Sequence, residues 1–369
     1  MDELVEEVLL RLPPDDPASL IRATLVCRRW CRFFSDAGFR RRFRIFHRTP
    51  PMLGLYCAGV STFIRTSSCP PISYPHNFDV IDVRHGRVLL TPCDIRGPWM
   101  NVLVVWDPIT DEQRELPLLP SSWDLVPSSV GWNASVLCAS NGNCDHLDCN
   151  HGAFLVVLVI TVSDLIYVYT YSSDAGTWSK PATTQGLADG PIDWHWRPNN
   201  AVVGNALYVQ FRYSKSFLKF DLATRGMSMI HPPTSRHYEH TILVATESDG
   251  LGFANVKNDK LYLWLGNASP EGHVGWTQSR VIDFKTLLPS SAYSKYDVAG
   301  FAHGVAIIFM RVNDEIYTFD LNSCKARYVC KDNGRMNDMF PYISFYTPAL
   351  GAAYPVEGLR AAASRGPET

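Results

Sequence analysis

The sequence predicts an α+β chain with two regions: a small N-terminal helical unit, then a long all-β domain of repeated four-stranded sheets. Three observations carry that expectation. Residues 1–48 space their apolar side chains as helices do, and hold ten Arg and no Lys against seven acids. Past Pro50 and Pro51 that spacing stops, and short runs rich in Val, Ile, Tyr and Phe follow, separated by Gly, Asn, Asp and Pro. A single turn signal recurs through this β region, a strand ending in Asp-x-x-Thr/Ser.

Bulk properties narrow the function classes. The chain has 369 residues and a net charge of −2, so no overall field favours nucleic acid or a membrane surface. Hydrophobic residues make up 46% and aromatic residues 12%, ample for a packed core. The ten cysteines follow no regular framework, which is the pattern of reduced thiols in the cytoplasm or nucleus. Asp2, Glu3, Glu6 and Glu7 are incompatible with the basic, then apolar, start of a secretory signal. The most apolar run, "AFLVVLVITV" at 153–162, is about half the length of a membrane span. Basic residues cluster only in the first 48 positions, where they alternate with apolar ones on short helices, so no nucleic-acid partner is expected.

The helical elements follow in order. "DELVEEVLLRL" places Leu4, Val8 and Leu12 four apart, with Val5 and Leu9 beside them, and its early glutamates suit a helix N-terminus. "PPDDP" breaks the chain, and Asp16-Pro17 is an N-cap and N1 pair for a second helix. Continued to Phe34, that helix gathers Leu20, Ala23, Thr24, Cys27, Cys31 and Phe34 on one face, widened by Val26, Trp30 and Phe33, with Arg22, Arg29 and Arg32 opposite. Ser35 or Asp36 caps a third helix carrying Phe39, Phe43 and Phe46. A unit of this size cannot bury so wide an apolar surface alone. The excess meets the next domain or another protein.

The stretch "DELVEEVLLRLPPDDPASLIRATLVCRRWCRFFSDAGFRRRF" resembles an F-box: an acidic helix, Leu-Pro, a break, a helix ending in Val-Cys-Arg-Arg-Trp, and a Phe-rich close. The resemblance implies a docking module for a Skp-type adaptor, and through it a cullin scaffold. By the family pattern Leu4, Val8, Leu12, Pro13, Leu20 and Val26 face the adaptor, while Leu9, Ala23, Cys27, Trp30 and Phe33 pack the helices. The family carries a Leu-Pro pair just before the first helix; Met1 stands there in this sequence, from which weaker adaptor binding is expected.

In the β region the Asp signal appears in "VVWDPIT" (Asp107), "YTYSSDAGT" (Asp174), "LKFDLAT" (Asp221), "RVIDFKT" (Asp283) and "YTFDLNS" (Asp320). Asp at a turn start accepts backbone N–H groups, so each copy reads as a hairpin turn. A second turn, at Gly86, Gly204, Asn258 and Gly304, precedes apolar strands. Together they mark four-stranded units near 78–120, 132–182, 196–233, 240–289 and 296–330, with a weak sixth at 52–75. Six such units predict a β-propeller of six blades over 49–346. The polar, small-residue tail 347–369 is expected to be disordered. The layout resembles plant F-box proteins, the large grass families especially, in which a kelch-like domain follows the F-box. That resemblance implies a substrate receptor within an SCF-type ubiquitin ligase.

Candidate chemistry is sparse. "CASNGNCDHLDCNH" gathers Cys138, Cys144, His146, Cys149 and His151, donors that suit zinc. Their spacing matches no zinc knuckle or ribbon, so a polar inter-strand loop without metal is expected, with zinc and thiol oxidation as alternatives. Trp194, His195, Trp196 and Arg197, and Arg236, His237 and Tyr238, fall between blades, where loops present a binding face rich in aromatic and Arg anchors. No Walker loop, nucleophile elbow, His-Glu-x-x-His or dinucleotide fingerprint is present, and no cofactor is expected. The expected function is a non-catalytic receptor that recruits a target protein. The alternative is a propeller enzyme or sugar-binding protein with an unrelated helical leader.

Overall fold

The computed structural model describes residues 2–57, 62–68, 72, 74–75, 77–93, 102–119, 130–140, 144–147, 149–162, 164–185, 200–210, 216–233, 241–245, 250–257, 259–268, 274–288, 294–332 and 338–346. Four helices open the chain: α1 (Asp2–Leu10), α2 (Pro17–Val26), α3 (Arg28–Ser35) and α4 (Ala37–His47). The helix expected to run on to Phe34 is interrupted at Cys27, whose backbone is extended (φ −161°, ψ 163°). Asp36 caps α4 by accepting the Phe39 N–H at 2.8 Å. Asp16 occupies the N-cap position of α2 with Pro17 after it, but its carboxylate accepts the hydroxyls of Ser19 and Ser68 rather than a backbone N–H. Ser68, from the β domain, receives the Ala18 N–H at 3.2 Å, so the β domain supplies some of the capping.

Leu9, Leu10, Leu20, Ala23, Phe34, Phe39 and Phe43 form the core of the helical unit. Phe345, from the far end of the β domain, completes it, its ring centroid 6.2 Å from that of Phe43. The Arg42–Glu6 ion pair ties α4 to α1.

Six antiparallel sheets follow, in a six-bladed propeller. Blade one is β3 (Phe78–Arg84), β4 (Arg87–Pro92), β5 (Val104–Asp107) and β6 (Glu112–Glu115). Blade two is β7 (Val130–Cys138), β8 (Phe154–Val162), β9 (Leu165–Ser172) and β10 (Thr177–Trp178), with β11 (Ala182–Gln185) also pairing β9. Blade three is β12 (Ala201–Val203), β13 (Ala206–Gln210), β14 (Phe217–Asp221) and β15 (Met227–Ile230). Blade four is β16 (Thr241–Ala245), β17 (Leu251–Lys257), β18 (Lys260–Ala268) and β19 (Val274–Asp283). Blade five is β20 (Tyr296–Ala302), β21 (Ile307–Val312), β22 (Glu315–Asp320) and β23 (Lys325–Lys331).

The sixth blade corrects the sequence reading at 52–75. It joins β1 (Met52–Cys57) and β2 (Thr62–Arg65) to β24 (Met339–Ile343), from the other end of the domain, in the order β2-β1-β24. Gly54 on β1 has no room for a side chain: a Cβ there would lie 2.3 Å from the Phe63 ring and 2.5 Å from the Ile64 carbonyl oxygen. Apolar clusters fill every blade-to-blade junction around the ring. Trp106 and Tyr342 meet between the sixth and first blades, and Phe309 and Met339 between the fifth and sixth.

The Asp signal divides into three outcomes. Asp107, Asp221 and Asp320 each end a third strand and accept two backbone N–H groups of the following turn, at 2.9 and 3.4 Å, 3.0 and 2.8 Å, and 2.8 and 3.1 Å. Asp111, Arg225 and Cys324 follow with φ of 61°, 57° and 56°, the left-handed residue that closes such a loop. In blade two the turn is begun by Ser172, whose Oγ accepts the Ala175 N–H at 3.3 Å, and Asp174 lies inside it. Asp283 makes no hairpin. It ends the fourth strand and caps the 3-10 turn Phe284–Thr286 through the Lys285 N–H at 3.0 Å. Gly86, Gly204 and Gly304 have positive φ as turn residues, while Asn258 lies outside the described residues, as does the tail 347–369.

Candidate docking surface, channel and thiol cluster

The apolar residues of α1 divide between two faces. Val5, Leu9 and Leu10 turn inward, whereas Leu4 (71% exposed) and Val8 (61%) lie on the outside, separated by a single helical turn. At the end of α2, Leu25 (74%) and Val26 (62%) are equally bare. Pro13 is exposed and Leu12 half-buried. Leu20 departs from its expected adaptor-facing role: at 1% exposure it is a central core residue. Cys27 departs the other way. The break between α2 and α3 puts it at the surface rather than in the helix packing. Leu9 and Ala23 are buried, and Trp30 and Phe33 lean on the same core. Leu25 was not among the residues expected at this surface; on a helix continued to Phe34 it falls with Arg22, Arg29 and Arg32.

Residues from all six blades line a central cavity of about 930 Å³, among them Asp82, Arg84, His85, Arg280, His303 and Asn322. Asp82 is buried and accepts Arg84 Nε at 3.1 Å and the Val136 N–H at 3.0 Å. Burial pushes its carboxyl up, against the pull of Arg84. Arg84 also donates to the Asn200 carbonyl, and the Asn200 amide donates to Ser135 Oγ at 2.8 Å. This network stitches the first three blades together. His303 is half-buried with both ring nitrogens shut away from solvent, and burial, with Arg84 nearby, holds its imidazole well below the ordinary range. The polar residues of "DVRHG" gave no motif in sequence; their role arises where inner strands of different blades converge.

Trp194, His195, Trp196, Arg197, Arg236, His237 and Tyr238 lie outside the described residues. The thiol loop is described at its donor residues. The donor atoms of Cys138, Cys144, His146 and Cys149 all lie within 4.8 Å of one another. Cys149 Sγ is 3.5 Å from His146 Nδ1, and His146 stacks on His85 at 4.1 Å. His151 is outside this group and pairs with Asn150. Burial raises the Cys149 thiol. Cys138 is lowered: burial opposes this, but hydrogen bonds to Ser140, Cys144 and Cys149 outweigh it. Among the described residues no helix is long and apolar enough to cross a membrane.

Comparison with known proteins agrees with this architecture. Residues 2–42 match the F-box domain, and residues 79–350 match the family described as "F-box protein AT5G49610-like, beta-propeller". No curated protein matches. Among solved structures, a functionally unknown protein from Desulfotomaculum acetoxidans DSM 771 is 12% identical, with a TM-score of 0.42, over 80% of this chain and 84% of its own. The WD40 domain of SCAP from fission yeast is 13% identical, with a TM-score of 0.36, over 72% and 56%. At such scores neither bears on what the chain does. The family match spans most of the chain and coincides with the blades, and with the F-box ahead of it the chain belongs to the AT5G49610-like F-box proteins with a β-propeller.

Proposed function

We propose that this protein is the substrate-recognition subunit of an SCF-type ubiquitin ligase, working in the cytoplasm or nucleus. Its F-box docks on a Skp-type adaptor, and through it a cullin, while the propeller recruits a target protein. The chain does no chemistry itself; it raises the effective concentration of the target near a charged conjugating enzyme. The plant, kelch-like kinship belongs to this reading and rests on domain order alone.

The observation that carries the proposal is the bare apolar surface of the F-box region: Leu4, Val8, Leu25 and Val26 are exposed while their neighbours fill a complete core. Burying such side chains against a partner contributes roughly 1.5–3 kcal/mol each. A propeller enzyme with an unrelated helical leader is not favoured, because residues 2–42 match the F-box itself. The test is co-expression with a Skp-type adaptor, then size-exclusion chromatography and titration of the full chain. A stoichiometric complex is the expected result. Absence of any complex with a folded chain overturns the reading.

A further inference from the structure

The β7–β8 loop carries an arrangement of donors that the helical docking surface does not use. Cys138 is the last residue of β7, fixed by its pairing with Phe154 and by the Ala139 N–H donating to the Ala153 carbonyl at 3.1 Å. Cys149 opens the 3-10 turn Cys149–His151, which is closed by the Gly152 N–H donating to the Cys149 carbonyl at 3.1 Å. Between these anchors the chain returns Cys144 and His146 to the same point, so three sulfurs and one imidazole nitrogen face a common centre.

The Cys149–His146 edge suits a small tetrahedral ion, and all four donor atoms lie within 4.8 Å of one another. With Zn–S about 2.3 Å and Zn–N about 2.0–2.1 Å, the S···N edge of a tetrahedron is roughly 3.5 Å, and S···S edges are roughly 3.8 Å. Cys149 Sγ and His146 Nδ1 stand 3.5 Å apart, the length of such an S···N edge. A set of three thiolates and one imidazole is soft, which selects zinc over magnesium or calcium. Four protein donors leave no open position, so the site is structural rather than catalytic.

The surroundings match in charge. Three thiolates around a divalent zinc leave one net negative charge, and the buried Arg87 guanidinium faces Cys149 and Cys138. Arg87 donates to the Gly152 carbonyl and lies over the Phe154 ring at 5.0 Å, so it is held beside the cluster by the loop's own base. Leu147, between two of the donors, packs on the core of the F-box helices. Asn150, just past the last donor, reaches Asp107 of blade one at 3.3 Å.

We infer that Cys138, Cys144, His146 and Cys149 bind a structural zinc ion, which clips the β7–β8 loop into the shape that seats the F-box on the propeller. The inference stands independently of the ligase reading, because its test contains no adaptor.

The full chain is produced in zinc-supplemented medium, purified without chelator, and its metal content measured by plasma mass spectrometry. Equimolar zinc is expected. Exchange into cobalt(II) is expected to give thiolate-to-cobalt charge transfer and the intense visible bands of a tetrahedral centre. Cys144→Ser and His146→Ala each drop zinc to background while the far-UV spectrum of the propeller is kept. Cys93→Ser, a cysteine outside the cluster, leaves zinc equimolar. Should a ligand variant fail to fold, the cobalt spectrum of the unaltered chain decides. Zinc far below equimolar in the saturated, folded chain, or an octahedral cobalt spectrum, overturns the site. So does a thiol titration showing these cysteines paired as disulfides.

Discussion

Leu4 and Leu20 have the same side chain and opposite surroundings, and a charge placed at each has a different consequence. Leu4→Asp with Val8→Asp leaves the helical core intact. It is expected to weaken adaptor binding by at least about 100-fold, as when two buried side chains are lost, with an unchanged melting curve. Leu20→Asp buries an unpaired carboxylate and opens a cavity, at a cost of about 3–5 kcal/mol. It is expected to unfold the helical unit in a melting experiment, so its loss of binding alone says nothing about the interface. His303 gives a prediction in pH. Its folded imidazole resists protonation, whereas the unfolded chain takes up that proton near pH 6.5. Where the unfolded state binds more protons, stability rises with pH. Urea midpoints are therefore expected to fall as pH drops below about 6.5, and His303→Gln to flatten that slope. At this scale the sequence was half legible. The apolar identity of each F-box residue was plain, but its direction depends on where α2 stops. Nothing in the letters around Val26-Cys27-Arg28 marks the extended residue that rotates everything after it.

The elements were more legible than their partners. Five of the six blades follow the expected unit boundaries because each is a local meander whose turns carry their own chemistry. Asp107, Asp221 and Asp320 signalled correctly, since a carboxylate at the end of a third strand satisfies the turn's N–H groups. Asp283 gave the same letters from the end of a fourth strand, because a 3-10 turn needs the same cap as a hairpin. The weak sixth unit looked weak because it holds only two of its strands, the third lying almost three hundred residues away in sequence. The donors of the thiol cluster were named from the sequence, but the convergence of four of them was not legible in the spacing. That spacing is set by the return of β8 alongside β7, not by a compact knuckle. Gly54 tests the pairing of the sixth blade. Gly54→Ala forces the Phe63 ring and the β1–β2 pairing to shift, at about 1–3 kcal/mol. The expected outcome is a lower denaturation midpoint with faster amide exchange in β1 and β24 than in blade three.

Across the whole molecule the F-box is seated on the propeller rather than tethered to it. Phe345 enters its core, Ser68 and Ala18 meet at the start of α2, and Leu147 reaches it from blade two. Phe345→Ala is expected to remove about 3–5 kcal/mol of packing shared by the two domains. Limited proteolysis is expected to cut between α4 and β1 sooner in that variant, with the isolated propeller surviving. If the cleavage rate is unchanged, the two domains are coupled by something other than this ring. The join of β24 to β1 has a consequence in time. A ribosome releases the F-box first and β24 last, so for most of synthesis β1 has no neighbour on one edge and the helices lack Phe345. The ring closes only when the final strand arrives, and that same event fills the helical core. A chain cut short by a premature stop ahead of β24 therefore emerges with both the sixth blade and the helical core unfinished.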